Sequence, residues 1–209
     1  SYNYVTWKKT LLYPQKEGKL EINPMTLDVS IDVPTNRRDF FGNIIYTQTS
    51  SKVSSNKKVV NVKSLPTENK PEDFFGAVGD VNISLNSNKN ELKATESFQV
   101  ELKISGSGNL KLFSIPDLIV PSSLEKYDPE YSESVKIGLA GMNGNISNTY
   151  TIVPQFQGKY PIPRVKFSFF NPRLNKYSTI FSDEEIVDVY DGPIVSNDNS
   201  LSLIHISEP

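Results

Sequence analysis

Tyr150–Phe170 reads YTIVPQFQGKYPIPRVKFSFF, and Thr10–Ile31 reads TLLYPQKEGKLEINPMTLDVSI. With Pro154 laid on Pro14, an offset of 140, five positions coincide: Pro14/Pro154, Gln15/Gln155, Gly18/Gly158, Lys19/Lys159 and Ile22/Ile162. In the later copy, β-branched and aromatic residues dominate Thr149–Phe156, as in a half-buried strand. Pro154 has no N–H to give a ladder and belongs at a strand edge or bulge. Gly158 suits a turn that needs positive φ. After Tyr160-Pro161-Ile162-Pro163, the apolar Val165, Phe167 and Phe169 alternate with Lys166 and Ser168, so one face points inward and one outward. The stretch is a hairpin with a kinked first strand. Val60-Asn61-Val62 and Val187-Asp188-Val189 read as the closing strands of the two copies. The first copy is longer by about a dozen residues, which the Ser-, Lys- and Asn-rich Thr47–Lys58 best accommodates.

The rest of the chain extends this pattern. Tyr2–Trp7 is strand-like, and Leu27–Val33 alternates strictly until Val33-Pro34 ends it. Val81–Leu85 and Phe98–Ile104 alternate as antiparallel strands with one wet face. Ser105–Asn109 (SGSGN) reads as a turn, and Leu110–Phe113, Leu118–Val120 and Val135–Leu139 as short strands. Gly138–Gly144, with Asn143-Gly144, reads as a hairpin connection. Only Pro121–Tyr131 has room for a helical turn. Short strands at spacings near ten residues with almost no helical period define an all-β chain of tandem immunoglobulin-like β-sandwich domains. The expected boundaries are 1–65 for the later part of a first domain truncated at its N-terminus and 66–73 for a linker. A complete second domain then spans 74–193, followed by a disordered tail at 194–209. Within that tail Leu201–Pro209, LSLIHISEP, resembles the translated read-through of a sequencing adapter, which makes the sole histidine, His205, foreign and has the natural chain continuing differently beyond residue 200.

Bulk composition excludes several function classes. The 209 residues are 37% hydrophobic and 22% charged, with eleven Phe and ten Tyr to fill cores. A formal charge of −2 offers no field for nucleic acid. With no cysteine, thiol catalysis, disulfides and Cys-ligated zinc are out, though the compartment stays open. No apolar run approaches the roughly 18 residues of a membrane span.

Candidate chemistry is thin. Gly106-Ser107-Gly108 lacks the third glycine and the helix of a phosphate cradle. Asp39-Phe40-Phe41-Gly42 and Asp73-Phe74-Phe75-Gly76 resemble a kinase magnesium motif only superficially and read as aromatic anchors packing at domain ends. Asp183-Glu184-Glu185 and Asp188 with Asp191 lack the alternation and glycine turn of a calcium loop. Asp128 and Glu130 are the pair to test for glycoside hydrolysis. With His205 discounted there is no base for a serine nucleophile. Arg37-Arg38 reads as a surface pair. No catalytic, cofactor-binding or metal-ligating residue is assigned.

Phe75-Gly76-Ala77-Val78-Gly79, Ile104-Ser105-Gly106-Ser107-Gly108-Asn109-Leu110, Ile115-Pro116 and Leu124-Glu125-Lys126-Tyr127-Asp128-Pro129 form a distinctive ordered set. Together with Leu65-Pro66, Lys70-Pro71, Ile152-Val153-Pro154, Gly158–Pro163 and Phe167–Pro172, they make residues 4–195 resemble the BatD, or oxygen-tolerance, family. The resemblance implies an exported, membrane-anchored protein of tandem immunoglobulin-like domains facing the periplasm. It further implies genes beside a MoxR-type ATPase and von Willebrand A-domain membrane proteins, and a role in aerotolerance or envelope stress. It carries no catalytic residues. The expectation is a non-enzymatic interaction module whose partners are other envelope proteins, von Willebrand A-domain proteins among them, with no nucleic acid and no cofactor. Its contact to the membrane would come only through an anchor outside this fragment. Sandwich loops carry recognition, so Asn109, Asp117, Tyr127 and Tyr131 are the candidate protein-contact residues, with Asp117 able to meet a partner's bound metal. The alternative is a carbohydrate-binding or adhesive surface module, which requires Tyr127, Tyr131, Tyr160 and Tyr177 to form an exposed coplanar platform.

Overall fold

The computed structural model describes Thr6 and residues 10–194. The strand expected at Tyr2–Trp7 falls almost wholly outside the described residues, as do the tail from residue 195 and His205. The described residues are all-β, with no helix. One compact unit is Leu12–Leu65; the other takes in the residues from Pro66 onward, together with the described residues before Leu12.

In Leu12–Leu65 there are four strands, β1 (Gly18–Ile22), β2 (Thr26–Arg38), β3 (Ile44–Ser54) and β4 (Lys58–Val62). β1 pairs antiparallel with β4, and β2 with β3. The later unit holds β5 (Gly79–Ser87), β6 (Glu91–Lys93), β7 (Phe98–Gly108), β8 (Leu124–Lys126) and β9 (Glu130–Gly138). It continues with β10 (Gly141–Pro154), β11 (Gly158–Ile162), β12 (Lys166–Asn171), β13 (Lys176–Phe181) and β14 (Glu185–Asp191). One sheet runs β5-β7-β10, with β8 and β9 in succession along the far edge of β10; against it lie β11-β14-β6 and the hairpin β12-β13.

The repeat in the sequence is a repeat in pairing. Gly18 opposes Val62 and Ile22 opposes Lys58; at the offset of 140, Gly158 opposes Val189 and Ile162 opposes Glu185. The next strands also start in step, β2 at Thr26 and β12 at Lys166. The extra length of the first copy lies almost wholly ahead of Thr47–Lys58. Thr26 pairs Ser54 as Lys166 pairs Phe181, so the insertion is the far end of the hairpin, where residues 32–48 stand in for 172–175. β2 also runs through Pro34, which opposes Tyr46, and the register shifts only afterwards. A two-stranded ribbon leaves one edge of each strand unpaired, so a residue without an N–H is tolerated there.

Alternation builds the core of the later unit. Val81, Ile83 and Leu85 from β5, Phe98, Val100, Leu102 and Ile104 from β7, and Ile146, Tyr150 and Ile152 from β10 point inward. They meet Leu92, Tyr160, Ile162, Phe167, Phe169, Val187 and Val189 from the facing strands in one apolar cluster. Each such side chain, fully buried, contributes about 1.5–3 kcal/mol of transfer free energy. No described residue of Leu12–Leu65 is buried to that degree.

Four local expectations give way to tertiary geometry. Ser105–Gly108 is the end of β7, not a turn, and its glycines are there for close approach. A Cβ on Gly106 (φ 143°) would meet the Asp80 carbonyl oxygen, and one on Gly108 (φ 147°) that of Val78. Asn143-Gly144 lies inside β10; the hairpin turn is Leu139-Ala140, closed by Gly138 opposite Gly141. Leu110–Phe113 and Leu118–Val120 are irregular, although Leu110 and Leu118 are core residues. Pro121–Tyr131 contains a β-turn, Leu124 N–H donating to Pro121 O at 3.0 Å, and then strand.

The segment 66–73 packs on the later unit. The Tyr177 hydroxyl donates to Pro66 O at 2.7 Å, and Ser168 Oγ donates to Asp73 Oδ1 at 3.0 Å. Phe74 meets the Tyr177 ring edge-on at 5.0 Å. Of the two Asp-Phe-Phe-Gly runs, only Phe74 anchors as expected; Phe75 is exposed, and Phe40 and Phe41 stand in solvent at the β2–β3 turn.

Gly106→Ala is expected to cost at least about 2 kcal/mol, because it adds both a strained φ and a clash with backbone. Gly138→Ala, with open space around its Cβ, should stay within about 0.5 kcal/mol of the parent. Urea unfolding of both variants measures the difference. Fragment 66–194, which holds the whole buried core, should unfold in a single transition.

Candidate functional site

The irregular segment between β7 and β8 is fastened over the core by one polar knot. Tyr150, in mid-β10, is fully buried. Its hydroxyl accepts the Leu118 N–H at 3.2 Å and donates to Asp117 Oδ1 at 3.1 Å. Lys126 Nζ, projecting from β8, donates to Asp117 Oδ1 and Oδ2 at 2.9 and 2.8 Å and to Leu118 O at 2.7 Å. The same ammonium lies 5.1 Å from the centre of the Tyr150 ring, a cation–π contact. Hydrogen bonding from Lys126 holds the Asp117 carboxyl below the usual carboxylate range, against the opposing pull of burial. Burial pushes the Tyr150 phenol up.

Asp117, alone of this knot, lines a cleft of about 470 Å³. Pro116, Asp117 and Ile119 line one side, Asp73 and Phe75 a second, and Pro163–Phe167 a third. Phe75 and Ile119, both lining this cleft, are 69% and 76% exposed. Charge rings them. Lys166 Nζ is 3.3 Å from Asp73 Oδ2, and the Arg164 guanidinium lies 5.3 Å from the Phe181 ring centre. Burial raises the Asp73 carboxyl, but bonds from Ser168 and Lys166 outweigh it and hold the group low. A cleft lined by both apolar and charged side chains suits a protein side chain flanked by polar groups.

Of the four candidate contact residues, Asp117 alone lines the cleft. Its oxygens accept bonds from Lys126 and Tyr150, while the side chain stays largely exposed. Asn109 is a strut: its Oδ1 accepts Val78 N–H at 2.7 Å and its Nδ2 donates to Gly76 O at 2.8 Å. Tyr127 and Tyr131 are half-exposed, their hydroxyls donating to Glu125 at 2.8 Å and Glu133 at 3.2 Å. The aromatic platform does not assemble. Tyr160 is buried with its hydroxyl on Phe156 O, and Tyr177 is packed between Phe74 and Phe170. Neither Asp128 nor Glu130 lines the cleft. No group of three or more His, Cys, Asp or Glu residues fit to hold a metal occurs among the described residues. Sequence reading missed Phe75, Ile119 and Arg164. Phe75, Ile119 and Arg164 lie in segments without strict alternation, so no periodic signal marks them.

The described residues form an all-β chain whose cleft sets apolar side chains beside Asp73, Asp117, Arg164 and Lys166. A family model described as "BatD DUF11 like domain" matches residues 85–189, and the chain belongs to the BatD family. No curated protein and no solved structure matches the chain.

Tyr150→Phe leaves the buried Leu118 N–H without its acceptor and should cost about 1–3 kcal/mol. Asp117→Asn tests the ion pair by pH. Because the folded state depresses the Asp117 pKa, its contribution is full above the ordinary carboxylate range and fades as pH falls through the lowered value. The stability gap between parent and Asp117→Asn, about 1 kcal/mol or less for so exposed a pair, should therefore close in acid. Thermal unfolding from pH 7 down to pH 2 measures it.

Proposed function

We propose that this chain is a non-enzymatic protein-interaction module of a BatD-type protein, facing the periplasm and acting in aerotolerance or envelope stress. In this reading its sandwiches are immunoglobulin-like and its partners are other envelope proteins, including von Willebrand A-domain membrane proteins beside a MoxR-type ATPase. The observation that carries it is the cleft flanked by exposed Phe75 and Ile119. Burying these two on a partner contributes the kind of anchor energy, about 2 kcal/mol or more each, that concentrates in interface centres. Family membership supports the operon context and the envelope setting.

Co-purification of the full-length protein with tagged neighbouring envelope proteins tests the reading. Ile119→Asp and Phe75→Ser should each reduce capture at least tenfold, while Asp117→Ala acts less strongly because its carboxylate is already paired. Capture unchanged by all three, and by Tyr127→Ala and Tyr131→Ala, removes the proposal.

A further inference from the structure

The insertion that distinguishes the first copy ends in an aromatic point. β2 and β3 form a ribbon whose longer strand, Thr26–Arg38, spans about 40 Å at the usual rise per residue. At its turn Phe40 is 98% and Phe41 84% exposed, with the two rings edge-to-face at 5.6 Å. Arg37 and Arg38 end β2, separated from the rings by Asp39, and Ile44, Ile45 and Tyr46, all exposed, follow in β3.

The turn satisfies its own backbone. Asp39 Oδ1 accepts the N–H groups of Phe41 at 2.9 Å and Asn43 at 2.8 Å, and Asn43 Nδ2 donates to Asp39 Oδ2 at 3.0 Å. Gly42 N–H donates to Asp39 O at 3.0 Å, Asp39 N–H to Asn43 O at 2.9 Å, and Arg38 Nη1 to Gly42 O at 2.7 Å. Gly42, at φ 84°, makes the reversal possible. Such internal pairing is what a turn needs where water is scarce, since an unpaired backbone group there costs several kcal/mol. Asp39 remains a carboxylate held by neutral amide donors, so the two arginines outweigh it and leave the tip with a small positive charge.

We propose that the β2–β3 hairpin is a membrane-contacting finger, which sets Phe40 and Phe41 below the headgroups of an anionic bilayer and Arg37 and Arg38 at the phosphates. A convex pair of neighbouring rings fits a bilayer without a matching pocket, whereas a protein partner would need a cavity shaped for both. Aromatic residues at the depth of the headgroups and basic residues beside them are the chemistry of interfacial attachment. A turn already fixed by hydrogen bonds loses little freedom on binding.

Flotation of the full chain with vesicles of phosphatidylcholine and phosphatidylglycerol tests this. Binding is expected to anionic vesicles, weaker on pure phosphatidylcholine and weaker as salt rises. Phe40→Ser with Phe41→Ser should reduce it at least tenfold, and Arg37→Glu with Arg38→Glu should abolish the preference for anionic lipid. All four side chains lie at the exposed tip, so near-unchanged thermal unfolding verifies that fold loss is not the cause. Ile31→Ser with Val33→Ser, on the ribbon's apolar face, should leave binding in place. In a Phe41→Trp variant, brominated lipid should quench the new fluorescence. No vesicle binding, binding insensitive to the double Phe change, loss of binding only in the Ile31/Val33 pair, or no quenching each overturns the proposal. So does a result in which the double Phe change abolishes capture by a tagged envelope protein while vesicles are never bound.

Discussion

A phenol buried at the centre of a sheet must satisfy its hydroxyl, and Tyr150 does so by holding down the whole irregular segment between β7 and β8. Leaving that hydroxyl unpaired would cost more than any one pairing contributes, so the loop, β8 and β10 are tied to one arrangement. Lys126 closes the tie by neutralising Asp117 and capping Leu118 O. Pro116 and Ile119, which line the cleft, flank the two residues that Tyr150 and Lys126 hold.

Around that centre, β10 carries the load. One edge pairs with β7 for nearly its full length, and the other takes β9 and then β8. Close approach at Gly79, Gly106 and Gly108 lets β5 and β7 pair where any side chain would collide with backbone. The two copies show how one pattern serves different surroundings. The β1–β4 and β11–β14 pairings share a register, yet the later pair contributes to a buried core and the earlier pair does not. The hairpin that remains short in the later copy is drawn out in the earlier one into a ribbon with an aromatic end.

The chemistry of the surface follows from what the titratable groups are doing. Asp117, Asp73 and Asp39 each hold structure together, through Lys126 and Tyr150, through Ser168 and Lys166, and through the amides of a turn. Large apolar side chains at Phe75, Ile119, Phe40 and Phe41 make no comparable contribution to the core. In this BatD-family chain, paired carboxylates thus stand beside exposed apolar residues.

The alternation of Val81–Leu85 and Phe98–Ile104, and the offset that aligns Gly18 with Gly158, determined by themselves the all-β class, the inward faces of β5 and β7 and the repeat. Ser168, read as outward-facing, is instead buried with Asp73 and Thr179 as partners. A period of two is a local property, and each copy's hairpin closes within a few tens of residues. Proximity across the sheets is not local. Ser105–Gly108 has turn composition but continues a strand because Asp80 and Val78 press against its glycines. Asn143-Gly144 has hairpin composition but lies within β10 because Gly144 faces the Ser134 carbonyl. Asn109 and Tyr177 resemble surface residues until Val78 and Pro66 are placed beside them. The cleft likewise joins residues from positions 73 to 167. Only the tertiary structure could bring these together, because a contact between distant segments leaves no periodic trace in either one.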